Sequence, residues 1–388
     1  MKKLIVLFAM CIFSLSFAQI HLKGSVLGSI YSMESNNEAV TNYYPGLRLS
    51  LTNENWKSFK TSLFIRGVYT GQDSEFNEWI YSLYVKHGIT DNITLKAGRQ
   101  FLFNGVVNGT MDGASIYYKG ENNFKVIIHA GLPAPTDLSS EVGSWNDDRM
   151  LGMVIGGNLF QGQYIQYSTM KKWIGGKEAI HLDELLLQGY LVKDILYHAN
   201  IRYNQSNGEI QRFISRLNYL QDKWSLSAEL VHQLPYIYQI SFFSRFEVEA
   251  YDQLRLNYTR QMDEYDISVG YNFTKFEDEN AHEGLVAVGW KRNNIGVLYN
   301  SGFSGDRLGI YGNVCVPVFG NFYARFYANY ASYQRYQTDI SEEAVSFSGG
   351  LDYKKPGYLF RIELQQASNN IYKNDTRALA HFIVDFSY

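Results

Sequence analysis

The sequence predicts an all-β fold, a transmembrane antiparallel β-barrel of about 18 to 22 strands with 22 the best count, and three observations carry that expectation. Short segments alternate apolar and polar residues with period two and recur at spacings of roughly 12 to 22 residues. Beyond the first residues no apolar stretch approaches the roughly 20 residues a membrane-spanning helix needs. The 388-residue chain holds 31 Tyr and 24 Phe beside only 6 Pro. A barrel uses aromatic residues at this density because it carries aromatic girdles at two membrane interfaces.

The chain opens "MKKLIVLFAMCIFSLSFAQ", with two lysines, an apolar run and a small-x-small triplet at Ser16, Phe17 and Ala18. This reads as a secretory signal peptide over 1–18, cut before Gln19. The run is too short for a transmembrane helix, and Cys11 lies inside it, away from the cut, which speaks against a lipid anchor. Losing Lys2 and Lys3 with the leader takes the 35 basic residues to 33 against 38 acidic ones, a net charge of −5. That balance excludes a nucleic-acid binder. Cys315 is then the single cysteine, so no intramolecular disulfide forms and a disulfide-stapled scaffold is excluded. The remaining 19–388 reads as one barrel domain. It enters its first strand almost at once with "HLKGSVLGSIY", leaving no room for an N-terminal plug.

The strands follow in order. In "KSFKTSLFIRGVY", Phe59, Thr61, Leu63, Ile65, Gly67 and Tyr69 oppose Lys60, Ser62, Phe64, Arg66 and Val68. In "EWIYSLYVKH", Trp79, Tyr81, Leu83 and Val85 oppose Glu78, Ile80, Ser82, Tyr84 and Lys86. "QLRLNYTR" sets Leu254, Leu256 and Tyr258 against Gln253, Arg255, Asn257 and Thr259. "NFYARFYANY" sets Phe322, Ala324, Phe326, Ala328 and Tyr330 against Tyr323, Arg325, Tyr327 and Asn329, and "YLFRIELQ" sets Tyr358, Phe360, Ile362 and Leu364 against Leu359, Arg361, Glu363 and Gln365. In the last strand, "ALAHFIVDFSY", Ala378 to Tyr388 present a wholly apolar face on the even positions.

A secreted β-sandwich, propeller or β-helix would also alternate, with its charged faces in water. About 22 or 23 such segments without any helical period, behind a signal peptide, favour a closed barrel, which has no edges and needs no second layer. The connections agree, since barrel turns are tight on the periplasmic side, where both termini lie, and longer outside. Tight turns fall at Asp91, at Gly120 to Asn123 and at Lys354 to Gly357. Longer connections fall at Leu132 to Asp148, Lys172 to Ala179, Lys275 to Glu283, Gln334 to Glu343 and Ala367 to Asp375. Counts from the two ends disagree by one strand between Tyr190 and Glu264. A bacterial barrel has an even number, so one segment there is false.

The run "LKAGRQFLFNGVVNGTMDGASIYYK", Leu95 to Lys119, contains Gly98-Arg99-Gln100, Gly105, Asn108-Gly109 and Asp112-Gly113. It resembles the Gly-Arg-Gln and Asp-Gly strand pair of the alginate-export and related porin-like outer-membrane barrels. Members of that family pass an acidic polysaccharide through a strongly basic lumen, whereas the inward-facing charges of this chain are mixed. The aromatic end at Tyr388 resembles the signal by which the barrel-assembly machinery recognises its clients. Independently of the resemblance, glycines at 105 and 109 suit turn geometry and close strand approach, where lack of Cβ permits positive φ.

Strand parity gives the pore-lining candidates Lys60, Arg66, Glu78, Lys86, Lys96, Arg212, Arg216, Arg245, Arg255, Arg325, Arg361 and Glu363, joined by Glu229 and Glu247. Their excess of cations favours anionic solutes by field. The function expected is a porin-like channel for passive diffusion of small or weakly anionic hydrophilic solutes. The alternative is a non-conducting structural, adhesin or partner-filled barrel, for which inward Tyr84, Phe243, Tyr323 and Tyr327 would supply occlusion. The eight histidines are scattered singly, no Gly-x-Ser-x-Gly or phosphate loop occurs, and neither an enzyme, a cofactor nor a metal site is expected. "HLDE" at His181 to Glu184 reads as a strand start. The expected partners are outer-membrane lipid and lipopolysaccharide; the acidic runs Asp147-Asp148 and Glu277 to Glu279 read as solvated surface, with divalent-cation bridging to lipopolysaccharide as the alternative.

Overall fold

A computed structural model describes residues 20–35, 38–53, 59–71, 76–160, 162–234, 249–303, 305–334, 341–369 and 375–388. The leader at 1–18 lies outside the described residues.

The described residues form 22 strands. The first seven are β1 (Ile20–Ser35), β2 (Glu38–Asn53), β3 (Phe59–Thr70), β4 (Phe76–Gly88), β5 (Ile93–Asn104), β6 (Val107–Lys119) and β7 (Lys125–Pro133). The next seven are β8 (Arg149–Phe160), β9 (Gln163–Ile174), β10 (Lys177–Val192), β11 (Ile195–Asn204), β12 (Glu209–Leu220), β13 (Trp224–Gln233) and β14 (Tyr251–Met262). The last eight are β15 (Tyr265–Lys275), β16 (Asn280–Trp290), β17 (Asn293–Gly302), β18 (Arg307–Phe319), β19 (Phe322–Gln334), β20 (Ser341–Lys355), β21 (Tyr358–Ser368) and β22 (Asp375–Ser387). Each pairs antiparallel with its neighbours in the chain, and β1 closes on β22 from Lys23↔Ser387 to Met33↔Arg377. The sheet is therefore a closed barrel with no free edge, which satisfies its backbone groups without a second layer.

The start of β1 and the end of β22 lie at one end. The Leu22 amide donates to the Tyr388 carbonyl at 2.9 Å and the Tyr388 amide donates back at 2.8 Å. That end carries the short turns, such as those at Lys193-Asp194, Asp263-Glu264 and Pro356-Gly357. The opposite end carries the long connections, including residues 134–148. One expected loop is shorter than its sequence suggests. Between Lys172 and Ala179 the strands continue to Ile174↔Lys177 and reverse on Gly175-Gly176, at φ 58° and 75°. Only glycine turns so tightly there without strain.

β13 pairs directly with β14, from Trp224↔Arg260 to Gln233↔Tyr251. Phe243, Arg245 and Glu247, expected at inward positions, fall in residues 235–248, outside the described residues.

Register carries one face continuously round the barrel. Val26, Leu230, Leu256, Val286, Phe326, Phe360 and Phe382 share the outer face and are exposed. The inner face is largely polar. It carries an apolar cluster at one place only among the described residues, where Leu102, Val106, Val107 and Met111 meet Ile127, Met150, Val154, Met170, Ile180 and Leu182.

Candidate functional site

On one side of the lumen, cations and carboxylates neutralise each other across adjacent strands. Glu229 on β13 lies in register between Arg216 on β12 and Arg255 on β14. It accepts from Arg216 Nε at 2.6 Å and from Arg255 Nη1 at 2.9 Å. Arg202 on β11 donates from Nη2 to Glu184 on β10 at 2.7 Å. Asp352 on β20 is fully buried and takes Arg361 Nε at 2.8 Å, Arg325 Nε at 3.1 Å and Lys354 Nζ at 3.2 Å. Arg325 Nη2 also reaches Glu363 at 2.5 Å. A buried carboxylate is tolerable only with such partners, so these clusters stabilise the wall as well as line it.

The other side differs. From β3 through β9 the inner-face positions carry Lys60, Arg66, Lys86, Lys96, Lys119, Lys125 and Lys172, and no carboxylate. Aromatic rings stand where acids would. Lys96 Nζ lies 4.0 Å from the Tyr84 ring centre, Arg66 Cζ 4.9 Å from Tyr44 and Lys125 Nζ 5.5 Å from Tyr164. On the adjoining β2, Arg48 sits 4.7 Å over Phe64. These contacts hold the cations by ring quadrupole and leave their charge uncancelled. Lys60, Lys86 and Lys96 occupy directly opposed positions in one row that continues to Ser115 and His129.

The lumen is narrowed where the resemblance-bearing segment lies. β4 and β5 pair only between Gly88↔Thr94 and Leu83↔Arg99, after which β5 leaves the wall. Gly98 takes φ 118°, and a Cβ there would meet the Leu83 carbonyl; a Cβ on Gly113 would meet that of Ala130. The β5–β6 tip then folds across the inner face, and the Val106 amide donates to Ser168 Oγ on β9 at 3.1 Å. Leu102, Val107 and Met111 are buried against the wall, while Phe101 and Phe103 on the other face are 59 % and 78 % exposed. Residues 134–141 occupy the place β5 vacates beside β4, with the Ile80 amide donating to the Leu138 carbonyl at 2.8 Å. Arg99 fastens the assembly. It grips Asp112 and donates to the carbonyls of Leu138, Ser139 and Glu141. In this strap the Ser139 amide donates to Asp137 at 3.0 Å and holds that carboxyl below the usual carboxylate range.

Beneath the tip, Gln100 Nε2 donates to the Gly113 carbonyl at 3.2 Å and Ser115 Oγ donates to Gln100 Oε1 at 2.9 Å. The Ser115 hydrogen is thereby used, so His129 Nδ1 donates to Ser115 Oγ at 2.7 Å. This serine–histidine pair is sealed, with 0 % and 1 % exposure, and leaves no space for a substrate.

Lys60, Arg66, Lys86, Lys96, Arg212, Arg216, Arg255, Arg325, Arg361 and Glu363 lie on the inner face, as do Tyr84, Tyr323 and Tyr327. Glu78 differs from its expected position. A bulge between Phe64 and Ile65 shifts the register of β4, so Glu78 pairs with Gly67 on the outer face. Trp79 and Tyr81 turn inward in its place, with Tyr81 stacked 4.7 Å from Phe64. Arg245 and Glu247 lie outside the described residues. Sequence reasoning missed Arg48, Glu184, Arg202 and Asp352. All four sit at lumen parity in alternating segments, and that alternation was the available signal. The inward tip had only its glycines as a signal.

No family model and no curated protein matches the chain. Among solved structures, the P pilus usher (PapC) translocation pore is similar at 10% identity and TM-score 0.51, covering 94% of this chain and 99% of that one. OccAB3 of Acinetobacter baumannii matches at 9% identity and TM-score 0.47, over 95% of this chain and 100% of that one. The outer membrane protein opdK of Pseudomonas aeruginosa matches at 9% identity and TM-score 0.47, over 95% and 99%. The likeness is one of fold.

Proposed function

We propose that the protein is an outer-membrane channel for passive diffusion of small or weakly anionic hydrophilic solutes, with the leader at 1–18 removed and both termini in the periplasm. The supporting observation is the inner-face positions of β3 to β9, which carry cations and no carboxylate within a closed sheet of 22 strands. A sheet of that circumference leaves a lumen, and the inward tip narrows one side of it. The uncancelled cations raise the local concentration of anions by field. The apolar outer face meets the hydrocarbon of the bilayer, and the C-terminal strand serves as the assembly signal.

Purified protein in a planar bilayer should give stable ohmic conductance with a modest anion preference that weakens at high salt, as screening shortens the reach of the lumen charges. No conductance over repeated insertions would overturn the channel in favour of a barrel closed by its tip and strap.

A further inference from the structure

Lys60, Lys86 and Lys96 face each other on three consecutive strands. Like charges directly opposed on neighbouring strands destabilise a sheet. No carboxylate among the described residues lies within ion-pair distance of any of the three. Across the lumen, by contrast, Arg216, Arg255, Arg325 and Arg361 each rest on an acid. Along this row the inner wall thus bears a repulsion that no carboxylate among the described residues compensates.

We propose that this row is a saturable binding site for a small oxyanion carrying two or more negative charges. The proposal rests on the channel reading only for the route by which the anion arrives. Neighbouring strands stand about 4.8 Å apart, so the three side chains are rooted along a line of about 10 Å. A singly charged ion cancels one ammonium of such a row, while a multiply charged one answers two or three. Lysine is a flexible point charge with rotatable donors and lacks the planar fork by which arginine matches a carboxylate. The row therefore selects by charge density rather than by carboxylate shape. Tyr84 fixes Lys96 from beneath at 4.0 Å, which lowers the cost of ordering that side chain. The row lies close to the connections at the terminal end, beyond the inward tip, where a solute that has passed the constriction arrives.

The test uses folded barrel in detergent with inorganic pyrophosphate as probe, followed by titration calorimetry and, in bilayers, by block of the chloride current. Wild type should bind saturably, while acetate should not saturate. Lys86→Gln, in the middle of the row, should weaken binding about tenfold or more, the loss of a charge-assisted hydrogen bond, and Lys60→Gln should act in the same direction. Both variants should melt no lower than wild type, because each removes a repulsion. Lys171→Gln, on the outer face, should bind as wild type. Pyrophosphate binding unchanged in Lys86→Gln and Lys60→Gln, or no saturable binding at all, overturns the site. Binding that is lysine-dependent in a barrel that conducts nothing upholds the site and overturns the channel.

Discussion

Arg99 grips Asp112 through two parallel contacts, Nε to Oδ1 at 2.7 Å and Nη2 to Oδ2 at 2.6 Å, at the point where the β5–β6 hairpin leaves the barrel wall. The same guanidinium donates to the strap carbonyls at Leu138 and Glu141, so one side chain joins the hairpin base to the loop that replaces it. Both partners are largely buried, at 6% and 13% exposure. Removing one leaves the other uncompensated. Arg99→Ala should therefore cost about 3 to 5 kcal/mol, seen as a lower temperature for loss of the compact band on electrophoresis. Arg99→Lys keeps the charge but loses the fork and should recover only part. In bilayers both should give larger, noisier openings as tip and strap loosen. Unaltered melting and current in Arg99→Ala would show that the tip is held by its apolar packing alone.

The glycines around that pair divide into two kinds. Gly98 and Gly109 have nearly the same positive φ, 118° and 121°. A Cβ on Gly98 would collide with the Leu83 backbone, whereas one on Gly109 would meet nothing within 4 Å. Gly109→Ala should then bear only the conformational cost, about 1 to 3 kcal/mol. Gly98→Ala should cost more, since two backbones must also separate. Equal losses of stability on urea unfolding would remove close approach as the reason for glycine at 98.

Strand number, closure and most of the lumen face were legible because parity is a local property of the chain. Arg255, Arg325 and Arg361 needed only period two to be placed. Glu78 was misplaced because a bulge depends on the partner strand, and nothing in "EWIYSLYVKH" marks where β3 will skip a residue. The segregation of charge was hidden for a related reason. Net charge and a list of inward residues look mixed, and only the pairing order shows that Glu184, Glu229, Asp352 and Glu363 all fall beyond β9. The glycines of residues 98–113 signalled tight geometry. Their consequence, a hairpin lying on β8 to β10, is a contact between strands that are not neighbours and has no periodic trace.

Glu229 tests whether the neutralised side is structural or selective. Its carboxylate is buried and shared by Arg216 and Arg255. Glu229→Gln should free both guanidinium groups toward the lumen and raise anion preference, read as a shift of reversal potential in a salt gradient. Stability should fall by roughly 2 kcal/mol or more, because two hydrogen bonds to a charged acceptor are weakened. A less stable barrel with unchanged selectivity would mean that this side of the wall does not sense the permeating ion.

Tyr388 separates an assembly role from a structural one. Its backbone closes the seam with Leu22, but the residue is 85% exposed and its ring lies 6.4 Å from that of Phe386. By contrast the Phe386 ring covers Gly24 across the seam, where a Cβ would overlap it. An exposed side chain with so little contact contributes within about 0.5 kcal/mol to the folded state. Tyr388→Ala should thus refold in detergent with an unchanged melting temperature. In cells it should nevertheless reach the membrane poorly, and Tyr388→Asp more poorly still, with unfolded protein accumulating in the periplasm. The two measurements have to be made together. Loss of both folding and delivery would assign the residue to seam stability, whereas loss of delivery alone assigns the aromatic end to recognition by the assembly machinery; normal delivery of both variants would show that the terminal ring is incidental to either.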